Sequence, residues 1–280
     1  MQKKWVIVMK TKRKELYNIL YSLTLFILLL LLEKLLRVCL SDYFIIELNV
    51  EFISKAITRV VIILSLLWLI NRFKLKKYNG LEKNRKIKNL QSLLFPSLFI
   101  LMGLMINWNT YLDTNRATLF LFTLSVFSVG FAEEFLFRGI IFPLFIRYFK
   151  MRKNVLFLSV VLSSSIFGVA HYLNLIREPN NFLGVTSQVV FAISIGIFLG
   201  GLMLRTENIL IPSIFHGFVN FSFDTTQLKT GGVEFINDTI KEGVNWNSMI
   251  TTTLFFTFIL LGGVYMIKKV DKKEILLKLD

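Results

Sequence analysis

Eight apolar stretches separated by short polar connections constrain this chain more than any other feature, because each is close to the length of a helix that crosses a bilayer. Their approximate limits are Leu16 to Leu36, Ile57 to Ile70, Ser92 to Ile106, Thr118 to Ile146, Asn154 to Tyr172, Val185 to Leu204, Ile209 to Phe223 and Ile250 to Ile267. A helix of about 20 residues spans the hydrocarbon layer and satisfies every backbone group within its own segment, which neither a loop nor an open sheet can do there. The expected fold class is all-α, a polytopic transmembrane helical bundle of about eight spans, of which the second, third and seventh are the shortest. A hydrophobic share of 54% and a mean hydropathy of +0.62 fit that reading, since one water-facing domain of 280 residues needs far more polar surface.

The basic residues are distributed as topology signals. If the spans alternate, the N-terminus, the 72–88 connection (RFKLKKYNGLEKNRKIK), the 147–153 connection (RYFKMRK), the turn at Arg205 and the tail KKVDKKEILLKLD share one side. Together they hold 24 of the 33 Lys and Arg. The opposite connections hold five, at Lys55, Arg116, Arg177, Lys229 and Lys241. Positive charge is retained inside, so both termini are expected to be cytoplasmic. The formal charge of +15 does not point to nucleic acid, whose readers gather Lys and Arg on one face of a folded domain. Of the rest, Lys34, Arg37 and Arg59 lie near span ends and can reach the interface along their aliphatic stems, whereas Arg138 cannot.

The single cysteine, Cys39, excludes an intramolecular disulfide and any Cys-based zinc cluster. No small-x-small cleavage pattern follows LTLFILLLLLEKLL, so the first span reads as uncleaved. The bias toward Ile, Lys, Asn and Phe is associated with AT-rich bacterial genomes, and an integral protein of a bacterial plasma membrane is expected. No fixed-period repeat or low-complexity segment breaks the chain. One membrane domain is therefore expected, with residues 1–117 as helices without motifs, 118–223 carrying the polar residues, and 224–280 as outer connection, last span and basic tail. In the sixth span GIFLG sets Gly196 and Gly200 one turn apart, a small-residue face suited to close helix packing.

The stretch FAEEFLFRG, Phe131 to Gly139, places two adjacent glutamates and an arginine in the fourth span. At 1.5 Å per residue the glutamates lie roughly 15–20 Å from its outer end. Charges at that depth are costly, face a bundle interior or cavity, and mark function. Successive helical residues diverge by about 100°, so the two carboxylates point apart, while Glu134 and Arg138 share a face at i, i+4. Glu134 is thus expected to pair with Arg138, which leaves Glu133 free for chemistry. Both histidines also fall in apolar helices, His171 in SIFGVAHYLN and His216 in IPSIFHGFVN, and His216 shares a face with Asn220. Singly, each histidine reads as a hydrogen-bonded core residue. Together with Glu133 they form an inventory for activating water and stabilising an oxyanion.

Three patterns now stand in order on three spans: EEFLFRG as EExxxR, Phe167 to His171 as FxxxH, and His216 to Asn220 as HxxxN. With the surrounding LRTENILIPSIFHGFVN, the region from about Thr118 to Phe223 resembles the CAAX-protease and bacteriocin-processing family of intramembrane endopeptidases. The resemblance implies that Glu133 with His171 activates a water, that His216 and Asn220 hold the oxyanion, that Glu134 and Arg138 form a supporting ion pair, and that Phe167 packs to fix the His171 ring. It implies a membrane-associated peptide or protein as substrate alongside the lipid bilayer, and roles such as bacteriocin immunity or peptide maturation. Many members are described as metal-dependent, so a zinc set of Glu133, His171 and His216 is left open, but no HExxH pair exists here. A metal-free glutamate mechanism without cofactor is the favoured expectation.

Depth is a further check, because cooperating residues must lie at one level. Pro212 suits a helix start and puts His216 within about two turns of the cytoplasmic end. Pro143, ending or kinking the fourth span, brings Glu133 to roughly 15 Å from that end, but His171 counted from Asn154 falls roughly 25 Å up. Two other functions use the same residues. One is a proton-coupled transporter with Glu133, Glu134, His171 and His216 as a relay, although no inverted repeat accompanies it. The other is a non-catalytic membrane immunity or scaffold protein.

Overall fold

The computed structural model describes residues 2–43, 47–82, 87–176, 178–228 and 246–277, and every regular element among them is helical. The helices are α1 (Gln2–Leu40), α2 (Glu47–Arg72), α3 (Lys76–Asn79), α4 (Leu94–Ile106), α5 (Trp108–Asp113), α6 (Arg116–Leu136), α7 (Phe142–Tyr148), α8 (Val155–Ala170), α9 (Phe182–Thr206), α10 (Leu210–Phe223), α11 (Trp246–Lys268) and α12 (Lys272–Leu277). Five segments are long and apolar enough to cross a membrane: Lys12–Leu40, Glu47–Arg72, Arg116–Tyr148, Val155–Ile176 and Phe182–Thr206. The shorter apolar helices Leu90–Ile106, Leu210–Phe223 and Thr252–Lys268 fall on the third, seventh and eighth stretches read from sequence. Leu28, Leu31 and Leu35 on α1, Leu64 on α2, and Leu254 and Leu261 on α11 stay exposed, an outer surface suited to lipid tails.

α2 and α10 pack on α6, while α8 and α11 pack on α9. The core joins Leu66, Leu69 and Ile70 of α2 to Leu136, Ile140 and Leu144 of the fourth stretch and Leu199 and Leu202 of α9. The GIFLG face of α9 lies against α8, where a Cβ on Gly196 would approach Ser164 and one on Gly200 would approach Val160. This is the expected use of a small-residue stripe.

The fourth stretch is not one α-helix. Phe137–Ile141 form a π-turn, with the Phe142 N–H donating to the Phe137 carbonyl, and Pro143 follows at the start of α7. Proline has no N–H to offer the carbonyl four residues back, that of Gly139. This carbonyl instead accepts from Asn79 Nδ2 at 3.4 Å, so a side chain of α3 occupies the place of the missing helical donor. The Asn79 carbonyl accepts in turn from the Ile209 N–H at 3.0 Å.

The basic segments converge at one end of the bundle. Arg147 donates to the carbonyls of Phe73 (2.9 Å) and Lys74 (2.7 Å). The Lys88 N–H donates to Thr206 O, Arg205 donates to Lys269 O, and Lys272 donates to Lys153 O. The gathering expected from charge counting is thus a set of direct contacts. Arg37 and Arg59 do not simply reach outward: Arg59 pairs with Glu33 of α1 at 3.0 Å, and Arg37 lies 3.4 Å from Glu51 of α2.

α2 ends in a Schellman motif: Leu75 N–H donates to Ile70 O (2.8 Å) and Lys74 N–H to Asn71 O (3.1 Å). Lys74 occupies the left-handed position, φ 56°, where glycine is usual and a Cβ costs about 1 kcal/mol. Lys74→Gly is therefore expected to stabilise the protein by about 1 kcal/mol, read as a higher midpoint of thermal unfolding in detergent. An unchanged or lower midpoint would contradict this account of the turn.

Candidate active site

α6 and α10 cross unusually closely, because Gly130 and Gly217 face each other. A Cβ on Gly130 would lie 2.8 Å from the Gly217 nitrogen, and one on Gly217 would lie 2.5 Å from the Phe127 ring. Gly130 precedes the glutamates by one turn and Gly217 follows His216. The closest approach of the helices therefore brings the carboxylates and the imidazole together.

Glu134 is the anchor. Its Oε1 accepts from Arg138 NH1 at 2.7 Å and lies 3.0 Å from His216 Nδ1, and the side chains of Glu134 and Arg138 are almost wholly buried. Arg138 NH2 donates to the Gly196 carbonyl at 2.7 Å, and the guanidinium lies 5.1 Å from the centre of the Phe167 ring. The i, i+4 pair read from sequence is present, but it does more than neutralise charge. A carboxylate can only accept, so Nδ1 of His216 carries the hydrogen and the ring is held with Nε2 directed elsewhere. That nitrogen lies 3.6 Å from Glu133 Oε2. The Glu133 side chain keeps 22% of its surface exposed against none for Glu134, which separates the adjacent carboxylates as their angular divergence requires.

Phe167 stands between the two histidines, edge-on to His171 (centroids 4.9 Å apart) and to His216 (5.9 Å). His171 begins the turn after α8, and its Nδ1 lies 2.9 Å from the Phe167 carbonyl. The hydrogen therefore sits on Nδ1 and leaves Nε2 as an acceptor when the ring is neutral. The shared Phe167 ring places both histidines near one level, although the helix count set His171 far above His216. At the head of α10, Thr206 and Ile209 are buried and the Ile209 N–H donates to the Asn79 carbonyl. Asn220, one turn beyond His216, has Nδ2 3.4 Å from the Val126 carbonyl, a weak bond that keeps the amide near the same face of α10.

Within this cluster Glu134 Oε2, Arg138 Nε and Ser164 Oγ are buried and have no hydrogen-bond partner among the described residues. Ser164 and the Glu134–His216 bond were not read from sequence; the only signal for Ser164 is its place opposite Gly196. No group of three or more His, Cys, Asp or Glu side chains is gathered among the described residues as a metal-ligand set.

The fold and the site define a class, a helical bundle of membrane-spanning character with an internal carboxylate–imidazole centre. Residues 114–222 match the family model described as type II CAAX prenyl endopeptidase Rce1-like, so this part of the chain is similar to that protease family. The match runs from just before α6 to the end of α10 and contains every residue of the cluster. No curated protein and no solved structure matches the chain significantly.

Proposed function

We propose that the chain is an intramembrane endopeptidase that hydrolyses a peptide bond with a metal-free, glutamate-activated water. The observation that carries this reading is His216 held between two unlike carboxylates, with Glu134 fixing Nδ1 and the more exposed Glu133 facing Nε2. Glu133 takes one water proton, with His171 Nε2 accepting a hydrogen bond from the same water, as the water oxygen attacks the substrate carbonyl carbon. The oxyanion that forms is met by His216 Nε2–H and the Asn220 amide. The C–N bond then breaks as Glu133 returns that proton to the leaving nitrogen, giving a carboxylic acid and an amine that exchange a proton with water to leave a carboxylate and an ammonium group. A protonated His216 balances two carboxylates and one guanidinium to zero charge, a condition that suits a cavity away from bulk water. Glu134 and Arg138 act through His216 and are positioning residues.

The membrane is proposed to be a bacterial plasma membrane, with about eight spans and the basic end cytoplasmic, since that end carries most Lys and Arg. Substrates are proposed to be membrane-associated peptides or proteins in immunity or maturation. The test is cleavage of a quenched peptide library by the purified protein in detergent, with and without a chelator. Activity that survives chelation and is lost in His216→Ala supports the proposal, and loss on chelation would replace it with a metal-dependent mechanism.

The glycine crossing supplies a second test. Gly130→Ala forces α6 and α10 apart by a fraction of an ångström or more, and hydrolysis is expected to fall about 10²-fold with helix content unchanged. Full activity in this variant would mean that the measured crossing does not set the catalytic distances.

A further inference from the structure

A cavity of about 630 Å³ opens at the basic end of the bundle, lined by Lys14, Asn18 and Tyr21 of α1, Trp68, Leu69 and Arg72 of α2, and Phe73, Lys74 and Arg147. None of the carboxylate–imidazole cluster lines it. Its walls carry four cations and no acid; the nearest carboxylate, Glu15, is buried on α1 and bonds to Asn18 at 3.5 Å.

The arrangement is ordered along both helices. On α1, Lys14, Asn18 and Tyr21 share a face at i, i+4, i+7, and on α2 Leu64, Trp68 and Arg72 share one at i, i+4, i+8. Each stripe runs from a cation at the basic end to a half-exposed aromatic ring, and on α2 onward to Leu64 at the exposed outer surface. Cation, aromatic ring and aliphatic surface in that order match phosphate, interfacial and acyl levels of a lipid leaflet. Arg147 is rigid, with its guanidinium on the carbonyls of Phe73 and Lys74 and on Tyr78 Oη. Lys74 stands in a left-handed position that glycine would fill without strain, so the turn keeps a cation at a conformational cost.

We propose that this cavity seats the phosphate of an anionic phospholipid headgroup, with Lys14, Arg72, Lys74 and Arg147 around the phosphate and the acyl chains against Trp68 and Leu64. The site is separate from the peptide-cleaving centre and requires only that the chain sit in a bilayer.

Trp68 reports occupancy directly. In full-length protein with Trp5, Trp108 and Trp246 changed to Phe, reconstituted in phosphatidylcholine vesicles, brominated phosphatidylglycerol is expected to quench Trp68 at a mole fraction about tenfold lower than brominated phosphatidylcholine. Lys14→Gln/Arg72→Gln/Lys74→Gln is expected to abolish the difference. Lys76→Gln/Arg152→Gln/Lys273→Gln, which removes three charges of the same end outside the cavity, is expected to keep it. Equal quenching by both lipids in the parent protein would overturn the proposal without reference to any charge variant. So would selectivity that persists in the cavity variant, or that is lost equally in the control. Displacement of brominated phosphatidylglycerol by soluble glycerol phosphate as effectively as by unlabelled lipid would assign the cavity to a free phosphate and overturn the lipid assignment.

Discussion

Glu133→Gln leaves the protein folded and lowers peptide hydrolysis by about 10²–10⁴, the range over which a positioned general base contributes. The amide keeps the shape of the carboxylate beside His216 Nε2 and removes only the ability to take a proton from water. The measurement is the single-turnover rate on a cleavable peptide, with the melting temperature of the variant as control. A non-enzymatic scaffold would tolerate the change. A proton-coupled transporter would lose uptake in proteoliposomes, with no peptide cleaved by either form. A variant that cuts as fast as the parent would remove Glu133 from the mechanism.

Arg138→Met is expected to cost about 3–5 kcal/mol of stability, because it removes one of the two cations beside the buried Glu134 carboxylate and leaves the cluster with a net negative charge. The same change frees Gly196 O and the Phe167 ring face of their cation, which couples α6 to α8 and α9. The double variant Glu134→Gln/Arg138→Met should recover much of that stability, since the buried carboxylate is removed together with its guanidinium and the cluster returns to balance. It should not recover activity, because the glutamine cannot hold His216 as the carboxylate does. Thermal unfolding of the two single variants and the double variant forms a cycle, and additive losses would show that the two side chains do not act as a pair.

Glu134–Arg138 was legible from sequence because both members lie on one helical segment, where spacing fixes the shared face. The division of labour between Glu133 and Glu134 was legible for the same reason, as a rotation of about 100° between neighbours. The bond from Glu134 to His216 was not, since it joins residues 82 apart and depends on how two glycines let α6 and α10 approach. The relative level of His171 and His216 was not legible because a helix count assumes that each helix starts at a common plane. The head of α10 meets Asn79 and Thr206 meets Lys88, contacts that no local pattern announces. Pro143 signalled a break, but no local pattern announced a π-turn whose Gly139 carbonyl accepts from Asn79, 60 residues before it.

That last contact has an evolutionary consequence. Asn79 lies outside residues 114–222, whereas the Gly139 carbonyl and the Ile209 amide that it satisfies lie inside them. The centre is thus not a transplantable module. A chain beginning at residue 114 would lose the Asn79 partner in the π-turn and at the head of α10, along with the donors that Lys88, Asn107 and Tyr111 give to Thr206, Ser222 and Phe221. Any front half grafted onto such a core must supply an equivalent amide at that spot. The preceding helices are free to drift where they face lipid, but not at Asn79, Lys88, Asn107 and Tyr111, which reach across to the matched region.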